Sequence, residues 1–138
     1  LANTKISKIL IPKSVGLCDV ATFKNCVNLT SIVFEDGGDV PLYVGGDLWL
    51  ENTQVTILVL PFKTYRIRGY WRRGSNLNTL YVKSTIPPIL EHGWGDNPDT
   101  CDLYVPIGCK EVYASATNWG SFRTITEYDF DLNPNNVH

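Results

Sequence analysis

The sequence predicts a β-rich α/β solenoid with short parallel strands and a C-terminal helical cap. Three observations predict it: an apolar-x-apolar core recurs every 22 to 26 residues, a large aromatic residue recurs between the cores, and a helical apolar pattern follows the last core. A repeat of this period lets each turn bury its inward side chains against the neighbouring turns.

The strand cores align in two apolar columns. The first column contains Ile9, Ile32, Leu58, Leu80 and Leu103, and the second contains Ile11, Phe34, Leu60, Val82 and Val105. Alternation along a strand places both columns inward and the residues between them outward. We expect successive strands to stack in parallel, because each is reached by a full circuit and not by a tight hairpin. The word Leu-Tyr-Val also occurs three times, at 42–44, 80–82 and 103–105.

The segments between the cores repeat as well. Phe23, Trp49 and Trp71 each precede an apolar residue by six positions, and those apolar residues are Leu29, Val55 and Leu77. We expect one large aromatic side chain per turn to fill the coil.

The C-terminal part departs from the repeat. Residues 108–119 carry Val112, Tyr113, Ala116 and Trp119 at helical spacing, which predicts an apolar stripe on a capping helix. We therefore predict one domain over residues 1–128, with its cap at 106–128, followed by a frayed polar tail or linker at 129–138. No such cap precedes the first strand, so we interpret the sequence as a piece of a longer protein that could self-associate through its N-terminal sheet edge.

Composition narrows the classes of partner. The chain has 138 residues, 43% of them apolar, and a formal net charge of −2, which gives no global reason to expect nucleic acid. No apolar run is long enough for a transmembrane segment. The four cysteines form two Cys-x7-Cys pairs, which is not a metal-binding spacing, so we expect no metal and no cofactor. Buried thiols and a disulfide in an exported protein both remain open.

The segment ILIPKSVGLCDVATFKNCVNLTSIVF at 9–34 resembles the BspA-like leucine-rich repeats of bacterial surface proteins. Those repeats read roughly I-x-I-P-x-S-V and then A-F-x-x-C-x-x-L-x-S-I, and a looser likeness extends over about residues 5–128. The resemblance implies a right-handed leucine-rich repeat superhelix of about five strand-bearing turns. It also implies display at the surface of a bacterium, or secretion, and adhesion to protein or glycan partners, including host-derived ones.

The outward residues of the strand cores are the first candidate site, and they are Leu10, Val33, Val59, Tyr81 and Tyr104. Because neighbouring strands lie about 4.8 Å apart, these side chains would form one apolar ladder, and such strips often mark binding surfaces. The alternative is that β-branched and aromatic residues simply favour strands. We expect replacement of Tyr81 and Tyr104 by Ser to abolish partner capture with little change in melting temperature.

The segment KTYRIRGYWRRG at 63–74 is the second candidate. Its arginines are Arg66, Arg68, Arg72 and Arg73. Guanidinium groups beside aromatic rings bind acidic sugars, sulfate or phosphate through forked hydrogen bonds and stacking. The alternative is a solvated convex face, with the aromatic residue of the repeat in the core.

The insertion at 90–102 is the third candidate, and its polar and aromatic residues are His92, Trp94, Asp96, Asp99 and Asp102. A loop of this composition could bind a sugar or a cation. Its glycines, asparagine and proline indicate instead an ordinary turn.

Catalytic motifs are missing from the sequence. It has two histidines, no Gly-x-Ser-x-Gly elbow, no phosphate-binding glycine loop and no His-Glu-x-x-His motif. We therefore predict a domain that is not an enzyme. A structural spacer in a larger surface protein and a glycan-processing accessory domain remain as alternatives.

Overall fold

The computed structural model describes residues 5–19, 23, 25–45, 50–68, 74–91, 93–94 and 98–132. In chain order its elements are β1 (Lys8–Ile11), β2 (Leu17–Asp19), β3 (Ser31–Phe34), β4 (Leu42–Gly45), β5 (Ile57–Leu60), β6 (Thr64–Arg68), β7 (Thr79–Val82), β8 (Ile89–Glu91), a short 3-10 helix (Pro98–Thr100), β9 (Asp102–Pro106), α1 (Lys110–Ser115) and β10 (Thr124–Tyr128). The larger sheet has the strand order β1-β3-β5-β7-β9-β10, and the smaller sheet has the order β2-β4-β6-β8. All neighbouring strands are parallel. From β1 to β9 the chain visits the two sheets alternately, so the protein is a parallel β-solenoid of about four turns.

The register of the larger sheet confirms the repeat alignment. Ile9 pairs with Ile32, and Leu58 pairs with Leu80, which pairs in turn with Leu103. All of these residues except Ile9 are buried, and Ile9 is half-buried on the outermost strand. Burial of each such aliphatic side chain contributes roughly 1.5–3 kcal/mol. The predicted inward column is therefore the spine of the core.

The smaller sheet differs from the prediction of one strand per turn. The smaller sheet has an inward column of its own, to which each strand contributes one buried residue. These residues are Cys18, Val44, Ile67 and Leu90. Strands β2 and β8 have only three residues, and β6 is irregular where it pairs with β4. On β6 the buried residues Thr64 and Ile67 are three positions apart, so among these strands only β4, with Leu42 and Val44, has the alternation that indicates a strand in the sequence.

The corners of the coil also stack from turn to turn. Asn25, Asn52 and Gly74 occupy equivalent positions with φ of 63°, 60° and 65°, in the left-handed region that glycine and asparagine adopt most readily. Asn52 Nδ2 donates to Asn25 Oδ1 at 2.7 Å, and the Asn52 N–H donates to the Gly74 carbonyl at 3.2 Å. At Gly74 an added Cβ would lie 3.0 Å from Cγ of Glu51, so close approach favours glycine there too.

The helical segment is shorter than predicted, because α1 covers only part of residues 108–119. Tyr113 and Trp119 are buried: the Tyr113 hydroxyl donates to the Ser84 carbonyl at 2.7 Å, and Trp119 Nε1 donates to the Pro88 carbonyl at 2.9 Å. Burial raises the pKa of Tyr113. The prediction that Val112 belongs to the buried stripe is wrong, since this residue is 45% exposed on the solvent side of α1.

The beginning of the tail also differs from the prediction. The Phe130 ring lies edge-on to Tyr81, with centroids 6.2 Å apart, so the beginning of the tail contacts the larger sheet at Phe130. The rest of the predicted tail lies outside the described residues, as do Trp49 and Trp71 of the aromatic repeat. Phe23, the remaining member of that repeat, is buried as predicted.

The cysteines are core residues. Cys18, Cys26, Cys101 and Cys109 are all buried, and none of them forms a disulfide. The structure therefore agrees with the buried-thiol interpretation, in which small sulfur-containing side chains fill space between turns. In the described part of the chain, no helix is long and apolar enough to cross a membrane.

Candidate binding surface

The outer face of the larger sheet brings the predicted ladder together. Leu10 pairs with Val33, Val33 with Val59, Val59 with Tyr81, and Tyr81 with Tyr104. Leu10 is 59% exposed and the other four are half-buried. Five apolar side chains thus follow one another across five adjacent strands, which is the arrangement predicted from the sequence.

An aromatic cluster forms the C-terminal end of the ladder. The rings of Tyr81 and Tyr104 are stacked, with centroids 4.5 Å apart and planes 14° apart. Tyr128 lies edge-on to both rings at 5.2 and 6.0 Å. The spacing of the stacked centroids is close to the distance between neighbouring strands, so these rings stand upright on the sheet. Each ring covers one face of the other, and their edges are directed outward.

The electrostatics of this cluster follow from its burial. Desolvation raises the pKa of Tyr81, and the neighbouring phenols of Tyr104 and Tyr128 raise it further. The Tyr81 hydroxyl therefore stays neutral well above physiological pH and can donate a hydrogen bond to a partner.

A groove of about 680 Å³ lies beside the cluster, across the carboxyl ends of the strands of the larger sheet. We call it the strand-end groove; it is lined by Asp36, Phe62, Lys83, Thr85, Pro106, Ile107, Tyr128, Asp129, Phe130 and Asp131. Lys83 forms an ion pair with Asp36, and its Nζ lies 5.8 Å from the centre of the Phe130 ring. The groove therefore combines aromatic walls with charged groups next to the ladder.

The arginines of the second candidate lie elsewhere. Arg66 and Arg68 are on β6 of the smaller sheet, while Arg72 and Arg73 lie outside the described residues. Arg66 forms an ion pair with Glu91, and its guanidinium carbon lies 5.4 Å from the ring centre of Tyr43. Because a carboxylate already neutralises Arg66, this side chain is poorly suited to the predicted binding of an acidic sugar, sulfate or phosphate.

The structure corrects the third candidate at Trp94. Its indole is buried, Nε1 donates to the Asn118 carbonyl, and its ring lies edge-on to Trp119 and Phe122 at 5.0 Å. Trp94 therefore anchors the insertion to the core and presents no surface to a ligand. The composition of the insertion concealed this role, because turn residues surround the tryptophan.

Among the acidic residues of the insertion that the structure describes, no cation site forms. Asp102 accepts hydrogen bonds from Nε and Nη2 of Arg123, each at 2.8 Å, and from the Thr124 hydroxyl at 2.8 Å. The hydrogen bonds from Arg123 lower the pKa of Asp102. His92 and Asp96 lie outside the described residues, and within the described ranges no group of His, Cys, Asp and Glu could hold a metal ion.

Sequence reasoning missed the residues that build the strand-end groove. Lys83, Phe130 and Asp131 belong to different segments, and only the stacking of turns and the return of the tail bring them together. The repeated Leu-Tyr-Val tripeptide indicated part of this site, since two of its three copies supply the stacked tyrosines. The third word places Tyr43 on the smaller sheet.

No protein-family model matches this chain, and no curated protein sequence matches it significantly.

Proposed function

We propose that this domain is a non-enzymatic binding module that holds a partner protein on the outer face of its larger sheet. The observation that carries the proposal is the ladder itself: five apolar side chains, from Leu10 to Tyr104, in unbroken register on one face. A contiguous apolar strip on a folded surface is typical of an interaction site.

The aromatic geometry favours a protein over a glycan as the ligand. A sugar ring binds by lying flat on an aromatic face. The stack covers one face of Tyr81 and one face of Tyr104, and Tyr128 lies edge-on to both rings, so little flat aromatic surface remains for a sugar. Their outward edges and hydroxyl groups suit apolar and hydrogen-bonding contacts with a protein surface.

We further propose that the domain is a leucine-rich repeat of the BspA-like type, from an exported bacterial surface protein. The motif at 9–34 supports this relationship, and its inward residues lie in the core. The same proposal makes α1 and β10 the C-terminal cap. In its support, the carboxylate of Glu127 accepts a hydrogen bond from the Lys110 N–H at the start of α1 at 3.2 Å. Glu127 also pairs with buried Val105, so a further strand on β10 would bury a charge.

The test compares two matched substitutions on an array of matrix proteins and glycans. Leu10→Ser removes an outward leucine that is 59% exposed on the larger sheet, and Ile89→Ser removes an outward isoleucine that is 62% exposed on the smaller sheet. We expect Leu10→Ser to weaken capture of an array protein at least about fivefold, because burying a leucine side chain at a contact contributes on the order of 1 kcal/mol or more. Ile89→Ser should have little effect.

Two results would contradict the proposal. Equal loss in both variants would show that the ladder is not the site, and saturable binding to glycans alone would assign the surface to sugars. Circular dichroism of both variants checks that the fold is retained.

A further inference from the structure

We propose that the segment of the partner protein bound by the ladder is an amphipathic α-helix, which lies across the strands of the larger sheet with an acidic side chain next to Lys8. This inference rests on the proposed function, because it names the partner of the same surface. The other protein segments that could lie there are an extended strand, a polyproline segment and the face of a second sheet.

The ladder has the length and spacing of a helical stripe. Its five side chains cross five adjacent strands, from Leu10 on β1 to Tyr104 on β9. Four steps of about 4.8 Å give a strip about 19 Å long. About 13 helical residues cover that length, at a rise of about 1.5 Å per residue. One helical turn rises about 5.4 Å, so each turn of the partner helix would meet about one strand.

The strip is narrow because polar residues flank it. Four of the five residues that lie two positions before a ladder residue, on the same face of the sheet, are polar: Lys8, Ser31, Thr79 and Asp102. On the other flank, Glu35 and Lys83 directly follow β3 and β7. The apolar exception is Ile57, which is 51% exposed and widens the strip at its centre. A second sheet requires a wide apolar face, whereas an amphipathic helix has one apolar stripe between polar residues.

The backbone of the sheet offers few hydrogen bonds on this face. Strands β3, β5, β7 and β9, which carry four of the five ladder residues, each pair with a neighbouring strand on both sides. An extended or polyproline segment on an apolar strip would leave some of its own backbone groups without hydrogen-bond partners, and burial of such groups is costly. A helix satisfies these groups internally. The paired strands therefore favour a helical partner.

The tyrosines give a second reason against a polyproline segment. Proline-rich ligands bind in grooves between aromatic side chains. Tyr81 and Tyr104 are stacked, with ring centroids 4.5 Å apart, so no space remains between them for a proline ring. Their outward edges and hydroxyl groups can instead contact the apolar stripe of a helix and the polar residues beside it.

The charges at the two ends of the strip differ. At the β9 end, Asp102 is paired with Arg123 and accepts a hydrogen bond from the Thr124 hydroxyl. At the β1 end, Lys8 is exposed beside Leu10, and within the described residues it forms no ion pair. A carboxylate next to the last apolar residue of the partner stripe complements this ammonium group. Because a helix carries partial negative charge at its C-terminus, that end of the partner should lie over β1.

The experiment titrates the isotope-labelled domain with three blocked peptides and follows its amide resonances by NMR. Each peptide has about 15 residues and an Ala-rich sequence, which is near the minimum for helix formation in water. The helical peptide carries four leucines at i, i+4, i+7 and i+11, with Glu next to the last of them. The alternating peptide has the same composition with leucines at every second position, so that they share one face only in an extended chain. The neutral peptide is the helical peptide with Gln in place of Glu.

We expect the helical peptide to shift the resonances of the ladder residues saturably and to gain helical circular dichroism on binding. The alternating peptide should bind at least about tenfold more weakly, because a helix would turn two of its leucines away from the strip. The neutral peptide should bind about twofold to fivefold more weakly than the helical peptide, since it lacks one solvent-exposed ion pair.

A pair of variants locates the charge effect. Lys8→Gln should reduce the affinity for the helical peptide to that for the neutral peptide, while the affinity for the neutral peptide stays the same. Lys110→Gln makes the same change of charge at an exposed position on α1, and it should leave all three affinities unchanged.

Three results would overturn the inference: the alternating peptide binds as tightly as the helical peptide, the helical peptide shifts no ladder resonance or gains no helicity, or Lys8→Gln keeps the preference for Glu. These results are separable from a failure of the proposed function. If Leu10→Ser weakens capture of an array protein but the alternating peptide binds more tightly, the ladder is a binding site for an extended partner. If Leu10→Ser has no effect on capture while the helical peptide binds saturably, the proposed function fails and the preference for a helix is retained.

Discussion

Tyr104 stacks on Tyr81, with ring centroids 4.5 Å apart, although the two residues lie one full turn apart in the chain. Both come from a Leu-Tyr-Val word. The third word places Tyr43 on the smaller sheet, where its hydroxyl donates to Oε2 of Glu91 at 3.4 Å. The local sequence is the same in the three places, so the position of a strand in the circuit decides which sheet it joins.

The stacked tyrosines should stabilise the fold as well as form a surface. We expect Tyr104→Leu to lower the free energy of unfolding by about 1 kcal/mol, because it removes a stacked aromatic pair from a half-buried position. The sequence-based expectation of a nearly unchanged melting temperature after Tyr81→Ser and Tyr104→Ser therefore does not fit this contact. Chemical denaturation of a double-mutant cycle with Tyr81→Leu measures the coupling, and a coupling free energy near zero would refute the prediction.

The cysteines allow the same substitution to be compared in two environments. Cys26 occupies the corner position that Thr53 occupies one turn later, where the threonine hydroxyl donates to the Leu50 carbonyl at 2.9 Å. The N–H of Cys26 already donates to the equivalent carbonyl of Phe23 at 3.0 Å. Cys26→Thr should therefore change stability by less than about 1 kcal/mol, since its hydroxyl has a ready acceptor.

Cys18→Thr is the matched comparison. Cys18 points into the core from the middle of β2, between the two sheets and not at a corner. We expect this substitution to cost about 1–3 kcal/mol, because it buries a hydroxyl group in an apolar column. Thermal or urea unfolding measures the loss in free energy of unfolding for both variants. Equal losses would contradict the equivalence of the Cys26 and Thr53 positions.

These relationships show what the sequence could predict. The inward column from Ile9 to Leu103 was found because two apolar residues per turn repeat at nearly constant spacing. The inward column of the smaller sheet, which includes Cys18 and Ile67, was not found, because β2 and β8 have only three residues and the buried residues of β6 are three positions apart. Local composition also misplaced Trp94: the turn-forming neighbours suggested an exposed loop, whereas packing against Trp119 and Phe122 buries the indole.

Of the candidate site, the sequence predicted the ladder but not the strand-end groove. Strand alternation alone predicted the ladder, since one register fixes which face every residue of a strand occupies. The strand-end groove depends on the return of Phe130 to the sheet, and a polar tail sequence carries no periodic signal for that contact.

The pair of Asp102 and Arg123 should make stability depend on pH in one direction. Hydrogen bonds from Arg123 hold the pKa of Asp102 below its ordinary value of 3.8, so the folded state favours the ionised carboxylate. This contribution is complete above the unfolded-state pKa and is lost as the pH falls through the lower folded-state value. Asp102→Asn should therefore lower the melting temperature near pH 7, and the difference from the unsubstituted protein should shrink towards pH 2.

Glu111→Gln serves as the control for that measurement, because it removes a carboxylate from an exposed position on α1 without touching Arg123. A difference between Asp102→Asn and the unsubstituted protein that stays constant from pH 7 to pH 2 would show that packing, and not ionisation, explains the effect.

The free edge of β1 should permit self-association of the domain. Among the described strands β1 pairs only with β3, and the carbonyls of Ser7 and Ile11 accept hydrogen bonds from that side. In a parallel pair the backbone groups of alternate residues point to opposite sides, so those of Lys8 and Leu10 point to the open edge. We expect the apparent mass in sedimentation equilibrium to rise with protein concentration.

Lys8→Pro should abolish that rise, because proline removes an N–H from the open edge and leaves the bonds between β1 and β3 intact. Lys8 is exposed and points away from the core, so the melting temperature of the monomer should change little. A concentration-dependent mass that survives Lys8→Pro would assign the association to another surface of the domain.

On the opposite edge, Glu127→Val should increase self-association, because it removes from the inward column the charge that opposes a further strand on β10.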